Sequence, residues 1–460
     1  MIETKEKHID GVLKAARSQA TRMHAPTFVS VTNEIDTVDP LGFFQAGKNI
    51  DGNRVFWSSA TENKSFIGVG KAYTLKAKET SYASVRKQWE ELLEHAIIDN
   101  AYPLTTPKAF GGFTFDEKMT STNTDWKEFQ GSQFLVPAYV LTMEDDHFYL
   151  TINCIVDTTT SLEILSKQIS EDTKMLARAN FIQEPLSTIE NRYEEDPKDW
   201  MELVKQATRT IKTSTVDKIV LARELLLDFK NTVDITVVLH HLLQAQSNSY
   251  VFAFDSMESS FIGATPERLV RVENQSVLSA CLAGTAKRGQ TDFEDALIGD
   301  RLLHDDKNLH EHQFVVDMIR EAISAVSTTM EIPDRPVLYP LKNLQHLYTP
   351  VKAELKSSYG ILDVVEKLHP TPALAGYPRE EAMQFIRSYE SLDRGWYGAP
   401  IGWFDQDFNG EFAVAIRSAL INDTKATLFA GCGVVKDSNS LKEYEETNIK
   451  FTPMLSALGG

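Results

Sequence analysis

The alternation of apolar and polar residues divides the chain into runs of strands interrupted by a few helical stretches. Over residues 1–70 the pattern predicts strands and turns. Arg54-Val55-Phe56-Trp57 and Ser65-Phe66-Ile67-Gly68-Val69-Gly70 are strand-like, with glycines where strands bend. From Thr80 to Asp99 the residues Val85, Trp89, Leu92, Leu93 and Ile97 fall on one face, which predicts a helix. Residues 110–157 return to strand character, and 161–181 read as a helix. The acidic, Pro-containing segment 193–199 reads as a linker, followed by a helix over 200–211. Beyond it, 218–229 is a strand, and 250–285 reads as three strands with turns at 256–260 and near Asn274. A helix follows over 306–326, then a meander of three strands over 396–435 whose first turn contains Asn409-Gly410. The chain closes with a helix over 439–458 behind a Ser/Asn-rich cap. Strands in consecutive runs, without strict βαβ alternation, predict an α+β fold with large antiparallel sheets.

With 460 residues the chain is long enough for a large core, in one domain or two. Hydrophobic residues at 42% and charged residues at 24% are those of a folded protein in water. The net charge of −18, from 47 basic and 65 acidic residues, repels nucleic acid and anionic membrane surfaces, so neither is an expected partner. No apolar run reaches the about 18 residues of a membrane span. The charged start, Met1 to Lys7, has no apolar h-region, so no signal peptide is expected. Cys154, Cys281 and Cys432 form no Cys-x-x-Cys pair and read as reduced packing residues, which fits the cytoplasm. The acidity raises a question of its own: binding an anionic ligand here requires local cations or a metal ion.

Several polar residues stand where chemistry is possible. On the terminal helix Glu443, Glu446 and Lys450 follow at i, i+3 and i+7. That face is either solvated and ion-paired or part of a Mg²⁺ site, since Mg²⁺ takes one or two carboxylates plus waters and ligand oxygens. Asn308, Glu311 and His312 share another helix face; His312 lacks the partners of a zinc site and reads as structural, leaving Glu311 to pair with Glu446 around one ion. Lys218 opens an apolar strand, either exposed or, with a lowered pKa, a general base. Glu267 follows Pro266, either in a surface turn or as a general acid with a raised pKa. Gly284-Thr285 and Gly431-Cys432-Gly433 read as small-residue corners after strands, either tight turns or places where backbone N–H groups meet an anion. Arg417 interrupts an apolar strand, a position suited to a ligand carboxylate. A dinucleotide loop, a P-loop and a Gly-x-Ser-x-Gly elbow are all missing from the sequence.

Taken in order, VDKIVLARE, FIGATPERL, LAGTAKRG, DDKNLHEH, LQHLYT, LHPTPALAGYP, ESLDRGWYGAPIGW, FAVAIRSALI, AGCGVV and EYEETNIK resemble the chorismate-utilising enzyme family. They span about residues 216–458, the family's catalytic core, and DPLGFFQAG, FIGVGKA and FGGFTF extend the likeness less specifically toward the N-terminus. The resemblance implies one large α+β unit over 1–460, with 1–195 the less specific part and 200–458 the core. Two antiparallel sheets would pack centrally with helices outside, and the segment near Pro197 would be a loop within the unit. Family members that form isochorismate or salicylate carry a Lys where Lys218 stands, as the base that activates water. Those that use a covalent Lys have it where this chain has Ala283, so water is the implied nucleophile. The resemblance further implies Mg²⁺ held by Glu311 and Glu446, with Glu443 and Asn308 nearby. Glu267 is the implied acid at C4. Gly284, Thr285, His346, Ala373, Tyr397, Arg417, Gly431, Gly433 and Lys450 are the implied substrate contacts. The expected reaction is conversion of chorismate to isochorismate, feeding menaquinone formation by the length of the N-terminal region. Salicylate formation and a siderophore pathway are the alternatives, and a monomer or weak homodimer the expected assembly.

Overall fold

The computed structural model describes residues 2–460 apart from 60–61, 103–104, 119–123, 195, 257 and 341–343; the side chains of residues 2–7 and of Glu311 also lie outside the described set. Long alternating runs of aromatic and β-branched residues build the sheet. The strand Ser132–Glu144 is its branch point. One edge pairs with Lys64–Ala77, and the other with Lys108–Phe113 and His147–Val156, all antiparallel. One arm continues from Lys64–Ala77 through Arg54–Ser59, Tyr250–Asp255, Ser260–Thr265, Ser418–Asn422, Lys425–Val434 and Lys218–Phe229. The second arm runs from Lys108–Phe113 through Pro400–Asp405, Gly410–Val414, Arg268–Glu273, Ser276–Lys287 and Leu344–Leu355. These ladders are antiparallel; Thr27–Ile35 and Ile97–Asp99 pair in parallel.

The chain passes directly from a strand of one arm to a strand of the other after Thr265 and after Val414. Glu267 stands in the first crossing and Arg417 in the second. Each crossing is held by the other: the Val414 amide donates to the Glu267 carbonyl at 3.0 Å, and the Ala264 amide donates to the Arg417 carbonyl at 3.1 Å. Gly263 permits the second contact, because a Cβ there would sit 2.8 Å from the Arg417 oxygen.

One core cluster draws on both arms, with Ile219 and Leu221 from the first and Leu269 and Val270 from the second. Burying each such side chain stabilises the fold by about 1.5–3 kcal/mol. Helices complete the cover. Pro197–Thr213 buries Trp200, Val204, Ala207 and Ile211 at helical spacing. Its first turn is fixed by Pro197 at N1 and by Asp196, which accepts from the Lys198 amide at 2.9 Å. The terminal helix Ser440–Ala457 is capped by Asn439 and buries Thr447, Phe451 and Met454 against the sheet. Among the described residues no helix is long and apolar enough to cross a membrane.

The α+β class matches the sequence expectation, as do the strand Lys218–Phe229 and the closing helix. Four expectations need correction. Residues 2–23 form a helix, not strands, because Ile9, Leu13, Ala16 and Ala20 make a narrow buried stripe among charges. Ile97, expected on the helix face, lies in the short strand Ile97–Asp99 after a helix that ends at Leu93. The regions read as three strands each hold four, since each is broken by a crossing between the arms, at 266–267 and 415–417. The small-residue corners are not corners: Gly431 and Gly433 lie inside the strand Lys425–Val434, opposite Ala222 and Val220, and Gly284 and Thr285 lie inside Ser276–Lys287 at a bulge.

Candidate active site

The two crossings and the start of the Lys218 strand bring distant residues together. Lys218 is half-buried, and its aliphatic stem runs across Gly433 on the neighbouring strand. A Cβ at 433 would stand 2.6 Å from the Lys218 Cε and 3.2 Å from Nζ, so only glycine leaves the amine its path. On the other side Gly376, at φ +125°, admits the Lys218 carbonyl, which a Cβ there would meet at 2.1 Å. The PALAGYP segment thus clamps the base of Lys218, with Gly376 paired to Ile219 and Tyr377 to Lys218 itself.

Glu267 lies within electrostatic reach of this amine. Burial pushes its carboxyl up to about 7, against the opposing pull of the Lys218, Lys450 and Arg417 cations. A carboxyl in that range holds or releases a proton near neutrality, the requirement for a general acid. The Thr265 hydroxyl accepts from the Glu267 amide at 3.2 Å, fixing the turn behind Pro266.

Arg417 occupies left-handed backbone at φ +52°, which for a residue with a Cβ costs on the order of 1–3 kcal/mol and is found at functional sites. Burial pulls its guanidinium pKa down, while Tyr397, Glu446 and Glu267 hold it up. Tyr397 is buried, its ring stacked on Phe429 at 5.3 Å, and its hydroxyl lies 3.2 Å from where a Gly431 Cβ would be. Lys450 donates to the Gly431 carbonyl at 2.8 Å and pairs with Glu446 at 2.7 Å.

His346 lies opposite Thr285, with Nδ1 2.9 Å from the Thr285 hydroxyl. Burial first, then Arg417 and Lys450, push its pKa down to about 4, so the ring is neutral at pH 7. Gly284, at φ +79°, forms the bulge that brings Thr285 to this position. The Asn308 side chain is adjacent, its Cβ 3.4 Å from where a Gly284 Cβ would stand, and its amide group donates to Asp305 at 2.7 Å. His312 has the structural role expected of it, buried between the Ala283 carbonyl at 3.0 Å and the Thr349 hydroxyl at 2.7 Å.

The carboxylates of the terminal helix form a second group. Burial raises the Glu443 pKa, and the charge of Glu446 raises it further; Ser438 and Cys432 hydrogen-bond to it. Glu311 lies on the helix Asp306–Ser324, but its side chain is outside the described set. Among the described residues no three His, Cys, Asp or Glu side chains form a metal-binding group. The three cysteines are thiols, not disulfides, with Cys432 within reach of Glu443. Ala373 lines a small cavity with Glu267 and Thr371. Thr371 was missed from sequence, though it stands inside the LHPTPALAGYP stretch, because nothing in that string marks a buried hydroxyl.

Comparison with known proteins places this geometry in context. A family model described as chorismate binding enzyme matches residues 13–459. The isochorismate synthase MenF of Bacillus subtilis (strain 168) is 41% identical over an alignment of 476 residues, covering 100% of this chain and 99% of that protein. A salicylate biosynthesis isochorismate synthase of Pseudomonas aeruginosa is 34% identical, covering 98% and 94%. The solved structure of the menaquinone-specific isochorismate synthase MenF from Escherichia coli superposes with a TM-score of 0.80 over 94% of this chain and 95% of that one, at 24% identity.

Proposed function

The chain belongs to the chorismate binding enzyme family, and on that premise we propose that it is an isochorismate synthase acting on chorismate. One observation carries the reading: the Lys218 amine is threaded over Gly433 within electrostatic reach of a Glu267 carboxyl that burial pushes up to about 7. A base and an acid on opposite sides of one substrate ring are what a hydroxyl transposition needs. Lys218 takes a proton from water as its oxygen bonds to C2. The C1–C2 and C5–C6 double bonds each move one position, and the C4–O bond breaks as Glu267 protonates the departing hydroxyl. Ala283 supplies no amine, so water remains the nucleophile.

Chorismate carries two carboxylates, and the cations Arg417 and Lys450 are the groups suited to them. Neutral His346 and the Tyr397 hydroxyl suit the polar edge of the ring. The carboxylates of Glu443 and Glu446 fit a divalent cation, since burial and then the charge of Glu446 raise the Glu443 pKa and a nearby cation offsets that cost. Glu311 and Glu446 are the proposed ligands of Mg²⁺, with Glu443 and Asn308 beside them. When bound, the ion supplies charge neutralisation at the ring carboxylate.

The near end-to-end match to one MenF protein, which shares its name with the menaquinone-specific MenF of Escherichia coli, supports a role in menaquinone formation; the thiol cysteines suit the cytoplasm. The ladder between Arg54–Ser59 and Tyr250–Asp255 supports treating residues 1–460 as one working unit. The test is to incubate the protein with chorismate, with and without Mg²⁺, and separate the products. Isochorismate formed only with Mg²⁺ is expected. Stoichiometric pyruvate and salicylate would move the reading to salicylate synthase, and no turnover would refute it.

A further inference from the structure

We propose that Thr371 is a positioning residue for Glu267: its hydroxyl holds one water in the cavity the two side chains share, and that water orients the carboxyl proton. The inference rests on Glu267 acting as the acid. Thr371 is only 6% exposed, and its Oγ1 is buried with no hydrogen-bond partner among the described residues. Leaving a buried hydroxyl without a partner costs about 1–3 kcal/mol, so such a group is retained where a ligand or water meets it. The cavity it lines has a volume of ≈ 10 Å³, room for about one water.

The polar groups on the cavity wall are few. The Ser279 hydroxyl already donates to the Leu269 carbonyl at 2.7 Å. The Arg268 Nε donates to Tyr250 and Glu411, and its Nη2 to Glu62. The Thr371 hydroxyl and the Glu267 carboxyl both line this cavity and are the pair the water would bridge, with Ala373 and Leu282 as apolar walls. The charged groups acting on Glu267 from the packed elements are Lys218, Lys450 and Arg417, all cations. None of them accepts a hydrogen bond; a water that accepts from the Thr371 hydroxyl and donates to one Glu267 oxygen leaves the proton on the other oxygen, free to go to the substrate.

Thr371→Val keeps the shape and removes the hydroxyl; Thr371→Ser keeps the hydroxyl. With Val, kcat is expected to fall on the order of tenfold, the worth of one positioning hydrogen bond, while KM for chorismate changes little. The Glu267 carboxyl, followed by difference infrared spectroscopy with Glu267→Gln as the blank, is expected to titrate at higher pH, because its surroundings are drier. The Ser variant is expected to restore both. A Val variant with unaltered kcat and titration overturns the proposal, and so do equal losses in Val and Ser. A crystal structure of the unaltered protein gives a test independent of folding: a water within hydrogen-bond reach of both Thr371 Oγ1 and Glu267 supports the proposal, and a cavity without one overturns it. A Glu267→Gln variant that still turns over chorismate would instead remove the acid role, leaving the water and the titration to be judged separately.

Discussion

Replacing Glu267 by Gln should stabilise the protein at alkaline pH while abolishing turnover. The magnitude follows from the carboxyl's surroundings. In the unfolded chain it titrates near 4.5, and in the fold near 7. At ~1.4 kcal/mol per pH unit, that difference amounts to about 3 kcal/mol. The sign is set by the raised pKa. Below pH 4.5 the carboxyl is neutral in both states and costs nothing. As pH rises toward 7 the unfolded chain ionises first, and stability is lost; above 7 the folded protein carries a buried carboxylate at full cost. Gln has no charge to bury. The stability difference between Glu267→Gln and the unaltered protein, read from urea midpoints across pH 5 to 9, should therefore rise with pH and level off above 7. A difference that stays flat from pH 5 to 9 would refute the claim that Glu267 is held protonated by burial.

The other predictions concern the base and the metal. Lys218→Ala should lower kcat by on the order of 100-fold or more with circular dichroism unchanged, and a fully active variant would remove Lys218 from the mechanism. Gly433→Ala places a methyl 2.6 Å from the Lys218 Cε, so kcat should fall by on the order of tenfold or more through displacement of the amine; wild-type kcat would show that the path over Gly433 is unimportant. Glu446→Ala should raise the half-saturating Mg²⁺ concentration by on the order of tenfold, and an unchanged titration would exclude it as a ligand.

Much of the site was legible before any fold was known, because its residues sit at the ends of strongly patterned elements. The strand from Lys218 to Phe229 has clear β-branched and leucine periodicity, and its first residue carries the amine. The closing helix has its Asn439 cap and the spacing of Glu443, Glu446 and Lys450 written in sequence. What escaped depends on partners remote in the chain. Thr265-Pro266-Glu267-Arg268 reads as an interruption of one β-rich region; that the chain changes arms there, and puts Glu267 beside Arg417, is set by pairings to strands over 100 residues away. A glycine inside a strand signals a turn or a bulge when read locally. The use made of Gly433, to let a lysine from another strand pass, has no local signature. The N-terminal helix escaped for a different reason: Ala16 and Ala20 bury little surface each, so its apolar stripe is faint, and only packing against the sheet makes it stable.

The central claim is that the new hydroxyl comes from solvent, activated at Lys218, while the old one leaves past Glu267. Turnover in H₂¹⁸O, stopped early and followed by mass spectrometry of the isolated isochorismate, tests it directly. One ¹⁸O per product molecule at C2 is the predicted result; isochorismate that keeps the original ¹⁶O would mean the hydroxyl migrates within the substrate, and the roles given to both residues would be wrong.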